Sequence, residues 1–384
     1  MKILHTSDWH LGHVLYGYDR REEQTDMLRQ MAKIVKKEKP DLFLLCGDVF
    51  HTSQPSAGVN KMFVSAISEI RRNNPEMTIV VIAGNHDSGT RHEVFSELWE
   101  EFNVHTLGTV HGDNPADHII EIPDIGFVVA IPYVHPRLLP EGFIQDLLDK
   151  VAEMNSQNLP VVMTGHTTIS NSKFKGHEDV TEFSVGGIEG IEIRELGEGY
   201  DYLALGHIHQ RQFLDPARAR VRYSGSPLAV SFDEEKTHTV SIVEIAKRGD
   251  LPVTTEIEIK NTRPLVTLPA EGTVSWDIAR QLLKEYPDKE KTYLRLRVEV
   301  DDFLPAGAND EAYHLTRNKK SRFCVINTTR KNSSKEYGKA FSVQEFKEQQ
   351  PIDIFRKYME ETGGIFDEEI ESLFKEALNE LDKD

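Results

Sequence analysis

The chain has 384 residues, of which 39% are hydrophobic and 28% are charged, and this composition is typical of a folded protein with two or three domains. It contains no run of 18 apolar residues, and its N-terminus becomes polar after four residues, so we expect neither a membrane span nor a signal peptide. The net charge of −18 argues against a protein that coats nucleic acid through bulk positive charge, and the two cysteines fit the reducing cytoplasm rather than a disulfide scaffold.

Short apolar segments alternate with helical patterns through the first 250 residues. These segments are four to seven residues long and rich in Val, Ile and Leu, which is typical of strands buried on both faces. We predict strands at 2–6, 42–46, 78–83, 127–131, 160–164, 202–205, 221–224 and 239–245, and helices at 20–39, 56–72, 89–102 and 142–155. This alternation predicts an α/β layered domain.

The pattern changes after residue 250. Strands are predicted at 254–260, 263–268, 292–300 and 322–328, and helices at 275–286 and 309–318, which together indicate a small α+β module. From residue 342 onward only helical patterns remain, interrupted at Pro351 and at Gly363-Gly364. We therefore predict domains at 1–250 and 251–335, followed by C-terminal helices at 336–384.

Polar side chains cluster where five of the predicted strands end. In chain order these side chains are Asp8 and His10, Asp48, Asn85 and His86, His166, and His207 and His209. The carboxyl ends of strands in an α/β sheet face one crevice, and the glycines in these loops permit close backbone approach. A His or Asn at one strand end more often satisfies a local hydrogen bond, so it is the joint occurrence that predicts a site.

The donor types in this set predict a metal centre. Carboxylate, imidazole and amide donors without thiolates are the ligands of intermediate divalent metals such as Mn²⁺. The lack of cysteine ligands argues against a structural zinc site. There are more donors than one ion needs, so two ions that share a carboxylate fit the set better.

The order of these motifs resembles the calcineurin-like metallophosphoesterase superfamily over about residues 3–210. The resemblance implies a four-layer sandwich in which two mixed β-sheets are flanked by helices. It implies that one ion binds Asp8, His10, Asp48 and His209, and that the other binds Asp48, Asn85, His166 and His207. It also implies that His86 is a proton donor rather than a ligand.

A narrower resemblance is to the SbcD nuclease family. His51 lies three residues after Asp48, where phosphoprotein phosphatases carry an Asp-Arg-Gly stretch that this chain lacks. Residues 202–209, 223–228 and 231–234 also look like SbcD, and the module after 250 resembles its DNA-capping domain, whereas the last 50 residues match loosely. His51 is either a phosphate-positioning group or a surface residue at the start of a helix.

This resemblance implies a Mn²⁺-dependent nuclease subunit that pairs with the coiled-coil ATPase SbcC and cleaves DNA ends and hairpins. The implied activities are a 3′–5′ exonuclease on double strands and an endonuclease on single strands. One alternative is a phosphodiesterase for small molecules or cyclic nucleotides, and another is a non-catalytic scaffold. The roughly 130 residues after 250 favour the nuclease, because a small substrate needs no such module, and the complete ligand set argues against a scaffold.

Two basic clusters are candidate DNA contacts despite the acidic net charge. The first is the window 316–340, which holds eight basic residues and one acidic residue, and the second consists of Arg211, Arg218, Arg220 and Arg222. The alternative for the first cluster is a solvated edge of the small module.

Two further segments predict protein contacts. The helices predicted at 56–72 and 89–102 carry wide apolar faces that include Phe63, Phe95, Leu98 and Trp99, and we expect a homodimer through them rather than ordinary core burial. The C-terminal helices have apolar faces, and the part beyond Gly364 holds eight acidic and two basic residues. This pattern favours docking on a helical partner, which the resemblance implies is SbcC, over packing on the chain's own core.

Overall fold

The computed structural model describes residues 1–135, 138–170, 172–173, 191–215, 217, 219–234 and 236–331, together with the single positions 352, 356, 370, 371 and 374. The strands in these residues are β1 Lys2–Thr6, β2 Val14–Leu15, β3 Tyr18–Asp19, β4 Leu42–Cys46, β5 Thr78–Ile82, β6 Val104–Leu107, β7 Ile119–Ile122, β8 Gly126–Ile131, β9 Val161–His166, β10 Tyr202–Gly206, β11 Gln212–Phe213, β12 Val221–Tyr223, β13 His238–Glu244, β14 Val253–Ile259, β15 Leu265–Leu268, β16 Tyr293–Val300 and β17 Arg322–Arg330. The α-helices are α1 Arg21–Glu38, α2 Ala57–Asn73, α3 Gly89–Glu93, α4 Ser96–Glu100, α5 Phe143–Met154, α6 Trp276–Glu285 and α7 Ala308–Thr316.

Two six-stranded sheets pack face to face in the first part of the chain. The strand order is β14-β13-β1-β4-β5-β6 in the first sheet and β11-β12-β10-β9-β8-β7 in the second. Their inner faces share an apolar core to which Leu44 and Val80 contribute from one sheet and Val128 and Ala204 from the other. Helices α1 and α2 cover the outer face of the first sheet, and α5 covers that of the second. This arrangement confirms the four-layer α/β sandwich.

The central strands of each sheet are parallel. Strands β1, β4, β5 and β6 pair in parallel in the first sheet, as do β8, β9, β10 and β12 in the second. The predicted strands are found within two residues of their expected ends, whereas β2, β3, β6, β7 and β11 were missed. These strands have two to four residues and lie at sheet edges, where short segments leave a weak periodic signal.

The single helix predicted at 89–102 is wrong. The segment forms two short helices, α3 and α4, because Phe95 leaves the helical region with a φ of −122°. The Glu93 carboxylate accepts the backbone N–H groups of Gly108 and Thr109, which ties α3 to the end of β6 and turns the chain there. The periodic apolar residues of this segment therefore do not form one continuous core-facing stripe.

The small module has its own sheet and core. Strands β15, β16 and β17 are parallel, and α6 and α7 pack on them around Trp276, Leu283 and Leu296. Strand β14, which the sequence placed in this module, instead pairs with β13 at the edge of the first sheet. The three-stranded sheet of the module therefore begins with β15, after Ile259.

The C-terminal segment 336–384 lies outside the described residues except at five single positions, which have helical backbone. Among these, Arg356 and Glu371 form an ion pair of 3.1 Å. Of the helices in the part of the chain that the structure describes, none combines the length and apolar composition needed to cross a membrane.

Candidate metal centre

The seven predicted ligands meet at the carboxyl ends of the parallel strands. Asp8 and His10 follow β1, Asp48 follows β4, and Asn85 follows β5, all in the first sheet. His166 ends β9, while His207 and His209 follow β10 in the second sheet. Because the two sheets stack with these ends together, residues up to about 200 positions apart come into contact.

The first group of donors consists of Asp8, His10 and His209, whose ligand atoms lie within 4.8 Å of one another. The two imidazoles approach closely, with His10 Nε2 3.0 Å from His209 Nε2. Asp48 Oδ2 lies 3.6 Å from His10 Nε2 and so contributes to the same group.

The second group consists of Asp48, His166 and His207, with Asn85 between the two imidazoles. Asn85 Oδ1 is 3.1 Å from His166 Nε2 and 3.0 Å from His207 Nδ1. Asp48 Oδ2 is 3.5 Å from His166 Nε2, so the same carboxylate oxygen reaches both groups. The Asp48 carboxylate therefore lies between the two groups of donors.

The hydrogen bonds behind the imidazoles show that this donor set fits cations. His166 donates Nδ1–H to the Cys46 carbonyl at 2.8 Å, and His209 donates Nδ1–H to Glu234 at 3.2 Å. In the neutral rings Nε2 then carries a lone pair, which on His166 faces the Asn85 and Asp48 oxygens. With neutral rings these lone pairs converge on one another, which is the arrangement expected around a bound cation, and in the metal-free chain an Nε2 proton takes the place of the cation.

The electrostatics of the site point the same way. Burial works against the charged ring, but the Asp48 carboxylate raises the pKa of His166 to about 9, and Glu234 likewise raises the pKa of His209 to about 9. Burial alone would raise the pKa of Asp48, yet the surrounding imidazoles, His166 first, hold it well below its usual range. For Asp8 burial dominates and raises the pKa. The buried carboxylates therefore favour positive charge between them.

The backbone is strained at four of the seven predicted ligands. Asp8, His10, Asp48 and His207 have φ values of 54°, 43°, 49° and 96°, a region that residues other than glycine rarely adopt. Such conformations cost about 1–3 kcal/mol each and persist where the surrounding structure enforces them. Each of these residues belongs to a sharp turn directly after a strand, and the turn conformation directs its side chain toward the other donors.

Glycines provide the space that the ligands occupy. A Cβ at Gly47 would lie less than 3.0 Å from the His166 ring, and a Cβ at Gly84 would lie equally close to the Asp48 carboxylate. The expected role of these glycines in close approach is thereby confirmed by the packing.

Sequence analysis assigned no role to Asp87, which ties two ligand loops together. Its carboxylate accepts the backbone N–H groups of Val49 at 3.1 Å, Phe50 at 2.9 Å and Gly84 at 2.8 Å. The loop that carries Asp48 is thus joined to the loop that carries Asn85. The position of Asp87 directly after Asn85-His86 is the sequence signal from which its role in joining the two loops could have been predicted.

His86 and His51 lie beside the first group of donors. The His86 Nδ1 donates to the His51 carbonyl at 3.2 Å, and the ring centroid is 5.0 Å from that of His10. The His51 ring stacks on His86 with centroids 5.8 Å apart and lies 5.6 Å from His10. Burial lowers the pKa of His51. His51 is not at the start of a helix, since α2 begins at Ala57.

In the second basic cluster, the described arginines Arg211, Arg220 and Arg222 all bond to neighbouring groups of the protein. Arg222 is 1% exposed and donates to Ser241, and it pairs with Glu256, which also pairs with Arg211. Arg220 donates to the backbone of Asp201 and Gly249. Arg218 lies outside the described residues. These guanidinium groups connect strands and loops of the first domain, and because Arg222 is buried, the prediction of phosphate contacts is wrong for Arg222.

Comparisons with known proteins agree with this geometry. A model of the calcineurin-like phosphoesterase family matches residues 1–211. The SbcD subunit of nuclease SbcCD from Bacillus subtilis (strain 168) is 31% identical, with 100% of this chain and 99% of that protein covered. The proteins of the same name from Rhodobacter capsulatus and Escherichia coli K12 are 29% and 27% identical. The alignment with the Rhodobacter capsulatus protein covers 78% of this chain and 81% of that protein. The alignment with the Escherichia coli protein covers 79% of this chain and 79% of that protein.

Proposed function

Because the chain belongs to the calcineurin-like phosphoesterase family and, within it, to the SbcD family of nuclease subunits, we propose that it cleaves DNA phosphodiester bonds with two bound Mn²⁺ ions. The observation that carries this proposal is the pair of donor groups that share Asp48. The proposed ligands are Asp8, His10, Asp48 and His209 for one ion, and Asp48, Asn85, His166 and His207 for the other.

In the proposed hydrolysis the metal ligands, His86 and His51 have different roles. Two divalent ions, when bound, supply an acidified water for attack and shield the charge of the phosphate oxygens. His86 is held by its Nδ1 bond to the His51 carbonyl, which leaves Nε2 to protonate the departing 3′ oxygen. His51 stacks beside His86, where its ring positions the phosphate.

The presence of the small module favours DNA as the substrate over a small molecule. It packs against the first domain through Tyr293, whose hydroxyl donates to the buried Glu23 at 2.8 Å, and through Arg295, which pairs with Asp233 at 2.7 Å. A basic part of this module, with Arg317, Lys320 and Arg330 among the described residues, offers contacts to a phosphate backbone. The residues 332–340 of the same window lie outside the described residues.

We also propose that the protein forms a homodimer and pairs with SbcC in the cytoplasm. Of the four residues predicted to form the interface, Phe63 is instead buried in the core and Trp99 packs against that core. Phe95 and Leu98 are 62% and 59% exposed, as is the neighbouring Val94 at 65%, so ordinary core burial does not account for these three. Val94 and Phe95 line a cavity of about 300 Å³ between α2 and the α3–α4 segment. Such an exposed apolar surface is typical of a protein interface. The SbcC contact is assigned to segment 336–384.

One experiment separates the candidate functions. Linear duplex DNA labelled at the 3′ or 5′ end, a hairpin DNA and a bis-aryl phosphate ester are each incubated with Mn²⁺, with and without SbcC. We expect shortening from the 3′ end and opening of the hairpin, and neither with Asp48→Ala, which controls for contaminating nucleases. Hydrolysis of the ester without DNA cleavage, even with SbcC, would instead establish the small-molecule phosphodiesterase.

A further inference from the structure

Residues 231–234 form a turn between β12 and β13 that binds a metal-ligand histidine. The Glu234 side chain is 2% exposed and accepts hydrogen bonds from the backbone N–H groups of Val230 and Ser231, both at 2.9 Å. It also accepts from the Ser226 hydroxyl at 2.9 Å and from His209 Nδ1 at 3.2 Å. The carboxylate is therefore fixed by the turn itself and holds the ring of His209.

The same turn binds the small module from its other side. Asp233 Oδ1 lies 2.7 Å from the Arg295 guanidinium, which is 2% exposed and belongs to the central strand β16. Arg295 also donates to the Phe232 carbonyl at 3.3 Å, and its guanidinium carbon lies 5.1 Å from the centroid of the Phe232 ring. Three contacts thus join adjacent residues of the turn to one buried arginine of the module.

We propose that Glu234 is a positioning residue for His209, and that the Asp233–Arg295 pair makes this positioning depend on the docking of the small module. This inference rests on the metal centre of the proposed function. A carboxylate that accepts Nδ1–H fixes the tautomer and orientation of an imidazole ligand and increases the basicity of Nε2. Because the Glu234 carboxylate is bound to the backbone of its own turn, a shift of that turn moves the carboxylate with it.

The substitution Glu234→Gln isolates the charge of this group from the shape of the turn. The amide oxygen of glutamine can still accept from Val230, Ser231 and His209, and its NH₂ group can donate to the Ser226 hydroxyl. The negative charge beside His209 is the property that is lost. The hydrogen bonds that position His209 survive this exchange, whereas the effect of the negative charge on the basicity of His209 Nε2 does not.

The test is a calorimetric titration of the metal-free full chain with Mn²⁺. We expect Glu234→Gln to weaken the site that contains His209 by roughly 10–100-fold and to leave the site of Asn85, His166 and His207 near its wild-type affinity. The melting temperature in EDTA should fall, because in the metal-free chain the Glu234 charge also stabilises the protonated ring of His209. Equal affinity of the variant and the wild type would overturn the role of Glu234 in supporting His209 as a ligand, as would an equal loss of affinity at both sites.

The dependence on the module is tested with a matched pair of variants. Asp233→Asn removes the ion pair to Arg295, and Glu22→Gln removes a second ion pair between α1 and the module, in which Glu22 lies 3.2 Å from Lys291. We expect Asp233→Asn to weaken the same Mn²⁺ site by roughly 5-fold or more, and Glu22→Gln to have no effect. Arg295→Gln breaks the pair from the other side and should reproduce the effect of Asp233→Asn.

Equal Mn²⁺ affinities for Asp233→Asn, Arg295→Gln and Glu22→Gln would overturn the dependence on docking. The titration involves neither DNA nor hydrolysis. Its failure is therefore distinct from failure of the nuclease proposal, which the cleavage experiment decides.

Discussion

Gly84 shows how little room surrounds the proposed bridging carboxylate. Its missing Cβ would fall less than 3.0 Å from Asp48 Oδ1 and from the Asp48 backbone nitrogen. Gly165 also directly precedes a predicted ligand, but a Cβ there would meet Leu205 at an ordinary 3.6 Å. Two glycines at equivalent places in their motifs are thus under different steric demands.

We expect Gly84→Ala to weaken Mn²⁺ binding at both sites and to reduce the free energy of unfolding by about 1–3 kcal/mol, because Asp48 must move to relieve the overlap. Gly165→Ala is the control and should bind Mn²⁺ like the wild type. Calorimetry and denaturant titration measure the two effects. Wild-type metal binding by Gly84→Ala would contradict the tight packing around Asp48.

His86→Ala should keep both metal ions and DNA affinity but slow strand scission by roughly 10²–10⁴-fold, the usual worth of a general acid. The reason is that His86 flanks the donor groups and is assigned the proton transfer. Asp48→Ala should instead lose both ions, because the shared carboxylate is removed. Single-turnover cleavage and calorimetry check the pair, and loss of metal by His86→Ala would show that His86 is a ligand.

Among the structural elements, β1 connects the two sheets through a buried histidine. His5 Nε2–H donates to the Leu205 carbonyl at 3.1 Å, and Nδ1 accepts from the Tyr202 hydroxyl at 2.9 Å, both on β10 of the second sheet. Burial, with a smaller contribution from Arg222, lowers the pKa of His5 to about 3. The neutral ring is therefore the form that the packed sheets hold.

This predicts a pH dependence of stability. The pKa of His5 is lower in the folded chain than the value of about 6.5 expected after unfolding, so its contribution is complete above pH 6.5 and is lost as the pH falls toward 3. Between pH 7 and pH 4, the unfolding free energy of His5→Gln should decrease by about a few kcal/mol less than that of the wild type, since each pKa unit corresponds to about 1.4 kcal/mol. Urea titrations in EDTA at both pH values measure this difference, and identical slopes would refute it.

The α3–α4 segment presents its apolar residues outward, and this determines the expected effect of a charge there. Leu98→Glu should convert the proposed dimer to a monomer, because a carboxylate would be buried in an apolar interface. Phe303→Glu is a matched control, since Phe303 is 81% exposed on the small module. Light scattering at micromolar concentration should give twice the monomer mass for the wild type and the control. A monomeric wild type would disprove the proposed dimer.

At the scale of the whole molecule, the nuclease fold and its partner contact are expected to be separable. Truncation after Gln350 should preserve folding and Mn²⁺-dependent cleavage while abolishing co-purification with SbcC, because the acidic amphipathic helices assigned to that contact are removed. Circular dichroism and the nuclease assay provide the controls. A truncated chain that binds SbcC at full affinity, or one that does not fold, would exclude this assignment.

The sequence by itself determined most of the strands and helices and the family to which the chain belongs. Buried strands such as β1 and β4 are recognisable as short runs of apolar residues, because both faces of each strand are covered. The donors follow those strands directly, so their order along the chain carried the family resemblance that the comparisons confirm. These are local properties, in which the pattern and the structure it specifies lie within a few residues of each other.

Tertiary structure decided which distant groups meet. His10 contacts His209 across 199 residues, and Arg295 reaches Asp233 across 62, through the stacking of sheets and the docking of a module that no local pattern encodes. For the same reason sequence analysis missed the roles of Asp87 and Glu234 and misjudged the buried Arg222. A polar residue looks the same in any sequence window, and only its packed neighbours determine whether it faces solvent, supports a ligand or forms an ion pair.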